Sequence, residues 1–181
     1  MVILMRDEYI IVLDFLSRGH ADDRKGEPIV QGIGTKFFSL LEVVLKPGHQ
    51  VKPGDTIYIG EKKWEEVKYI RGRIKYDDLT SFAKDELEKV ISDLIDKNEK
   101  RFVEFFNKAT PITTRLHSLE LLQGIGKKHL WEIIKERKKR PFKDFQDLKK
   151  RIKMLPDPKK LVMRRIIDEF KEVDRHKLFI S

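Results

Sequence analysis

The spacing of apolar residues changes once, just after Tyr76, and that change limits what the chain can fold into. Before it the apolar residues fall in short runs: Glu8–Leu16, Pro28–Ile33, Lys36–Leu45, Thr56–Ile59 and Trp64–Ile70. Runs of this length rich in Val and Ile predict strands. Lys46-Pro47-Gly48 and Lys52-Pro53-Gly54-Asp55 read as turns, because Pro presets the first corner and Gly accepts a positive φ at the second. Gly60-Glu61-Lys62-Lys63 reads as the loop of a hairpin between the last two runs, and the charged, Gly-containing Ser17–Glu27 as a mobile loop. Five short strands joined this way predict a small antiparallel β-barrel of the OB or SH3 type over residues 1–76.

Beyond Tyr76 the period is helical. Leu79, Phe82, Ala83, Leu87, Val90, Ile91, Leu94 and Ile95 recur at steps of three and four, with Asp78 or Thr80 as the N-cap. Glu99–Lys108 forms a second helix carrying Phe102, Phe105 and Phe106, and Thr110-Pro111 ends it. Further helices are predicted around residues 114–122, 127–138, 143–153 and 159–171. The chain therefore reads as multidomain α and β: a barrel at 1–76, connecting amphipathic helices at 77–110, and an all-α basic domain at 111–181.

Charge follows the same division. Residues 1–78 carry 13 Lys/Arg against 13 Asp/Glu, whereas residues 111–181 carry 20 against 10. Such asymmetry points to an anionic partner for the C-terminal part, above all nucleic acid. The chain has no cysteine, which excludes disulfides, Cys-ligated metals and thiol nucleophiles. The apolar runs Met1–Met5 and Tyr9–Leu13 are too short to span a bilayer, and the first residues lack the basic start and small-residue cleavage site expected of a signal peptide, so a cytoplasmic protein is expected. Charged residues make up 38% of the chain, above the usual ~25%, which leans towards heat adaptation.

The stretch with the clearest chemistry runs from Leu119 to Ile134, around Gln123-Gly124-Ile125-Gly126-Lys127-Lys128. Two helices would meet here through a tight turn whose glycines leave backbone N–H groups open to a phosphate at the second helix's N-terminus. Ile125 would plug the turn into the core. Lys127 and Lys128 stand against the helix dipole, a placement an anion would relieve. The Gln-Gly-Ile-Gly copy at 31–34 joins strands and reads as coincidence.

At these residues the sequence resembles the helix-hairpin-helix family, from about Arg115 to Arg137. Arg140-Pro141-Phe142 to Leu148 resembles the linker and third helix of a double motif. Leu155-Pro156-Asp157-Pro158-Lys159-Lys160 falls at the second hairpin, without glycines. The resemblance implies non-sequence-specific phosphate contact by Gly124, Gly126 and the amides of Lys127 or Lys128. The whole chain is also similar to an archaeal family known as a domain of unknown function. The markers are Tyr9–Leu16 with the loop after it, Val51-Lys-Pro-Gly-Asp55, Arg71-Gly-Arg73 and the hairpin.

Other candidates are weighed against plainer readings. Arg71, Arg73 and Tyr76 interleave basic and aromatic residues as single-strand binders do, or simply protect an edge strand. Arg137-Lys138-Lys139-Arg140 forms a phosphate clamp or a helix C-terminal cap. Arg164 and Arg165 extend the basic surface; His117 and His129 flank the hairpin; Trp131 reads as core. His20, Asp22 and Asp23 read as a solvated loop, and neither a metal nor a cofactor is expected. Lys128 stands where some glycosylase/lyases place a Schiff-base lysine, with Asp144 or Asp147 as assistant, but without the expected spacing. The resulting expectation is a non-catalytic nucleic-acid-binding protein, RNA favoured over DNA, acting alone or in a ribonucleoprotein assembly. A protein adaptor is the alternative.

Overall fold

A computed structural model describes residues 6–181, so the Met1–Met5 run and the start of the predicted barrel lie outside the described residues. The chain is mixed α and β. Strands β1 (Tyr9–Leu16), β2 (Ile29–Gly34), β3 (Leu40–Leu45), β4 (Thr56–Tyr58) and β5 (Val67–Arg73) precede five helices among the described residues. These are α1 (Ser81–Lys97), α2 (Glu99–Lys108), α3 (Lys127–Lys139), α4 (Phe145–Arg151) and α5 (Pro158–Phe170). Two compact units divide the chain: residues up to Val90 with Phe170–Ser181, and Ile91–Glu169.

In the first unit the five strands form one antiparallel sheet in the order β4-β1-β2-β3-β5. Bulges interrupt the register between Val12 and Asp14 of β1, and twice where β3 meets β5. Bulges increase local twist, and the sheet curls into a half-barrel. One core cluster of the sheet includes Ile10, Val12, Val30, Val43, Leu45, Ile57 and Val67.

The predicted hairpin between β4 and β5 is absent. β4 pairs with β1 (Ile10 opposite Ile57) and β5 with β3 (Val43 opposite Ile70), at opposite edges of the sheet. The intervening loop folds on itself: Trp64 donates its indole N–H to the Gly60 carbonyl (2.7 Å) and the Tyr58 hydroxyl accepts from Lys62 N–H (2.9 Å). Trp64 therefore serves the loop, and β5 starts three residues later than its apolar pattern predicts.

β3 likewise starts at Leu40 rather than Lys36, because Asp7 organises the turn before it. Its buried carboxylate accepts from the backbone N–H of Lys36 (2.8 Å), Phe37 (2.8 Å) and Ser39 (3.3 Å). Phe38, between them, is held at φ 56°. A Cβ on Gly34 would lie 1.8 Å from the Asp7 carboxylate, so this glycine exists to admit the acid. The first Gly-Ile-Gly has a structural reason of its own.

The loop at 17–27 is tied down rather than free. Glu27 bonds Lys68 and the Tyr69 hydroxyl (2.9 Å), and Asp23 pairs with Arg71 (3.1 Å). His20 Nε2 lies 2.7 Å from the buried Glu42. Thr80 is the α1 N-cap: its hydroxyl accepts from Ala83 N–H (3.0 Å) and donates to Asp14 of β1 (2.6 Å).

The second unit has its own core, including Leu94, Phe102, Phe106, Leu122, Ile133, Leu148, Val162 and Ile166. It carries 21 Lys/Arg against 12 Asp/Glu, while the first unit is balanced at 18 each, so all of the +9 belongs to it.

Candidate nucleic-acid interface

The hairpin region departs from the predicted helix at 114–122. Thr113 Oγ1 accepts from the N–H of Arg115 (3.2 Å) and Leu116 (3.1 Å), which offers the backbone a local turn in place of a helix. What remains is one 3-10 turn, Ser118–Leu121. Buried His117 caps it, with Nδ1 accepting from Leu119 N–H (3.1 Å), and Glu120 accepts from His117 N–H (2.8 Å). Burial, and then nearby Arg137, push the His117 pKa down, so the neutral acceptor form is favoured. This histidine is a cap within the protein.

From that turn onwards, one backbone design occurs twice. Leu122 and Ile152 end their helical turns in extended conformation, both at ψ 112°. The Ile125 N–H donates back to Leu122 (3.0 Å), and the Leu155 N–H to Ile152 (3.4 Å). Between them lie Gly124 at φ 114° and Met154 at φ 58°. Ile125 and Leu155 are both buried, ahead of α3 and α5. The second copy lacks glycine because Met154 accepts the left-handed conformation itself. The two hairpins also meet: a Cβ on Gly124 would lie 3.3 Å from Leu161 and 3.4 Å from Pro156.

The helix N-termini that follow differ. At α5 the Asp157 carboxylate accepts from Lys159 N–H (3.0 Å), so the chain supplies its own anion. At α3 the N-cap is Gly126, with no side chain to cap. Among the described residues, the N–H groups of Gly126, Lys127, Lys128 and His129 have no acceptor; the first bond of the helix runs from Leu130 N–H to Gly126 (3.0 Å). Gly126 sits at φ −96°, ψ −172°, which any residue can adopt, and a Cβ there would meet open space. The fold needs Gly124. It does not need Gly126.

The cations around the hairpin sort into two sets. Arg137 donates to the carbonyls of Phe106 (3.1 Å) and Ala109 (2.9 Å) at the end of α2. Lys127 pairs with Glu120 (2.8 Å), which lowers the Glu120 pKa, Lys139 with Glu136 (2.7 Å), and Arg140 with Asp147 (3.5 Å). Arg165 is buried against Glu169 (2.9 Å), so it adds nothing to a basic surface, whereas Arg164 is exposed. Lys128, Lys135 and Lys138 are exposed and have no ion-pair partner among the described residues. Lys159, the counterpart of the hairpin lysines, is bound to Asp96 (2.7 Å).

Trp131 is not core. It is 64% exposed, because Leu130 and Ile133 occupy the buried side of α3 and position 131 lies about 100° around from 130. Arg71 is engaged by Asp23 and Glu42, and Arg73 donates to the Ser181 carbonyl (3.1 Å). Lys84 and Lys171 lie 5.1 and 5.2 Å from the Tyr76 ring centroid. These three strand-unit candidates thus serve internal contacts. Asp144 caps α4 through Asp147 N–H (2.7 Å), and Asp147 pairs with Arg151 (3.2 Å), so both aspartates near Lys128 in sequence are already used.

Sequence reasoning missed Arg151 and Glu42. The Arg151 guanidinium bonds the carbonyls of Glu136 (2.6 Å) and Arg140 (3.0 Å) and lies over Phe142, clasping the end of α3. Nothing in the sequence distinguishes it from its basic neighbours. Glu42 had a signal, a lone acid inside the apolar run Leu40–Leu45. Among the described residues no group of His, Asp and Glu is arranged to hold a metal, and no helix is long and apolar enough to cross a membrane.

A curled antiparallel sheet joined to a basic helical unit defines the class as a mixed α and β protein with two units. The chain belongs to the family described as "Protein of unknown function (DUF655)", whose model matches residues 6–181. It is 41% identical over 177 residues to "Uncharacterized protein MJ0038" of Methanocaldococcus jannaschii, covering 97% of this chain and 80% of that protein. The crystal structure of Af1531 from Archaeoglobus fulgidus superposes with a TM-score of 0.87 at 46% identity, covering 97% of this chain and all of that one.

Proposed function

We propose that the chain is a non-catalytic nucleic-acid-binding protein whose helical unit is a double helix-hairpin-helix, with the curled sheet as an OB-like partner. The first hairpin holds backbone phosphate. The observation that carries this reading is the α3 N-terminus: a glycine the fold does not require leaves open donors where the equivalent turn before α5 supplies its own carboxylate. An acceptor from outside, at the positive end of the helix, completes the pattern. The exposed, unpaired Lys128 extends the same positive field, and the whole net charge lies in this unit. The expected preference for RNA leaned on the barrel type and on Arg71-Gly72-Arg73; with both arginines engaged internally, the ligand is defined by its phosphates.

Fluorescence anisotropy of the full chain against single-stranded RNA, structured RNA and duplex DNA across a salt series tests the reading. Salt-dependent binding weakened severalfold by Gly126→Asp, which puts a carboxylate at the cap, is expected. Binding unaffected by that change removes the hairpin from the interface. A borohydride trap on an abasic oligonucleotide should give no adduct. An adduct lost in Lys128→Ala would replace binding with lyase chemistry.

A further inference from the structure

We infer that Trp131 stacks on an unpaired base, so that the exposed face of α3 takes single-stranded nucleic acid; this rests on the phosphate-binding reading above. Trp131 leaves 64% of its surface in water although burial of aromatic surface is strongly favourable. The core does not use it, since Leu130 and Ile133 fill the buried side of the helix. Its neighbours follow from helical spacing: Lys128 stands three residues before it and Lys135 four after, with Lys138 one turn further on. All three are exposed and without ion-pair partners among the described residues.

An indole set within a row of unpaired ammonium groups specifies its occupant. The ligand must present a flat π-surface to Trp131 and negative charge on either side of it. An apolar protein surface would cover the ring and strand the lysines. A duplex satisfies the lysines but keeps its base faces stacked on one another. A strand with unpaired bases supplies both, because every base has a π-face and every linkage a phosphate. Helical side chains lean towards the N-terminus, which carries the ring towards the Gly126 end, where the open donors lie.

The test uses the full chain with a dodecamer of oligo-uridylate and a blunt 12-base-pair DNA duplex at one low salt concentration. Trp131→Ala should weaken binding to the single strand about tenfold, as loss of one base–aromatic stack does, and leave duplex binding within about twofold. Trp131→Phe should retain most of the affinity. Tryptophan emission in the parent chain should be quenched by the single strand, and that quenching should be lost in Trp131→Ala. Single-strand affinity unchanged in Trp131→Ala, or both ligands weakened equally, overturns the stacking role while leaving the hairpin reading standing. Failure of the parent chain to bind either ligand overturns both. A dimer in sedimentation that Trp131→Ala dissociates would show this face to be a contact between copies, and would overturn the inference too.

Discussion

Asp7 holds more of the strand unit than its single side chain suggests. Three backbone N–H groups converge on a buried carboxylate, and they fix a phenylalanine at positive φ. Hydrogen bonds to a carboxylate contribute about 1.5–3 kcal/mol each, and the Ser39 N–H would be left buried without its acceptor, so Asp7→Ala should cost ~3 kcal/mol or more in urea unfolding. A loss below about 1 kcal/mol would mean the turn holds itself. The hairpin glycines separate in the same assay. Gly124→Ala, at φ 114° and against Leu161 and Pro156, should cost on the order of 1–3 kcal/mol. Gly126→Ala should cost less than about 1 kcal/mol, the gap between Gly and Ala at an N-cap whose backbone any residue can adopt. Both glycines were legible in the sequence as a pair, but their division of labour was not. It depends on Leu161, which is 37 residues further along the chain. The same holds for the cations: Arg137, Arg151 and Arg165 look like surface charge in one dimension and become internal fastenings only when carbonyls and Glu169 are brought to them.

Among the elements, those set by apolar period were legible and those set by side-chain-to-backbone bonds were not. α1, α2, α3 and α5 lie close to where their spacing puts them, and all five strands exist. The pairing of β4 with β1 was hidden because alternation marks a strand without naming its partner. The lost helix at 114–122 was hidden because Thr113 and His117 act through hydrogen bonds that hydrophobic periodicity does not register. The 3-10 turn capped by His117 has a pH consequence. Its folded pKa lies below the ordinary 6.5, so the unfolded chain binds the proton more readily. The turn's contribution is complete above 6.5 and declines as pH falls from there towards the lower folded value. The midpoint of thermal unfolding should therefore fall over that interval. His117→Asn, which keeps an acceptor at the cap, should flatten the dependence; an identical slope in the variant would assign it to other groups.

For the whole molecule the governing quantity is how the +9 is distributed. With unit 91–169 carrying all of it, the salt dependence of binding should belong to that unit's lysines. Replacing Lys127 and Lys128 together by Ala should flatten the logarithmic salt slope by roughly one to two units, about 0.7–0.9 for each phosphate no longer neutralised. Lys128→Ala alone should account for most of it, since Lys127 is already paired with Glu120. An equal share for Lys127 would mean that this ion pair opens on binding. The sequence disclosed this asymmetry directly, because charge is additive and needs no partner to be counted.

Arg73 reaches the carbonyl of Ser181, and the Ser181 N–H donates to Phe37 (3.4 Å), so contacts within the strand unit span more than a hundred residues and enclose the helical unit in sequence. During synthesis the strands emerge first, and the segment that Arg73 and Phe37 hold follows only after the helical unit. These contacts cannot form until residues beyond the helical unit are available. Protection of β5 from proteolysis on stalled ribosomes should therefore appear only once Ser181 is exposed, and protection already complete at Val90 would show that the fastening is dispensable.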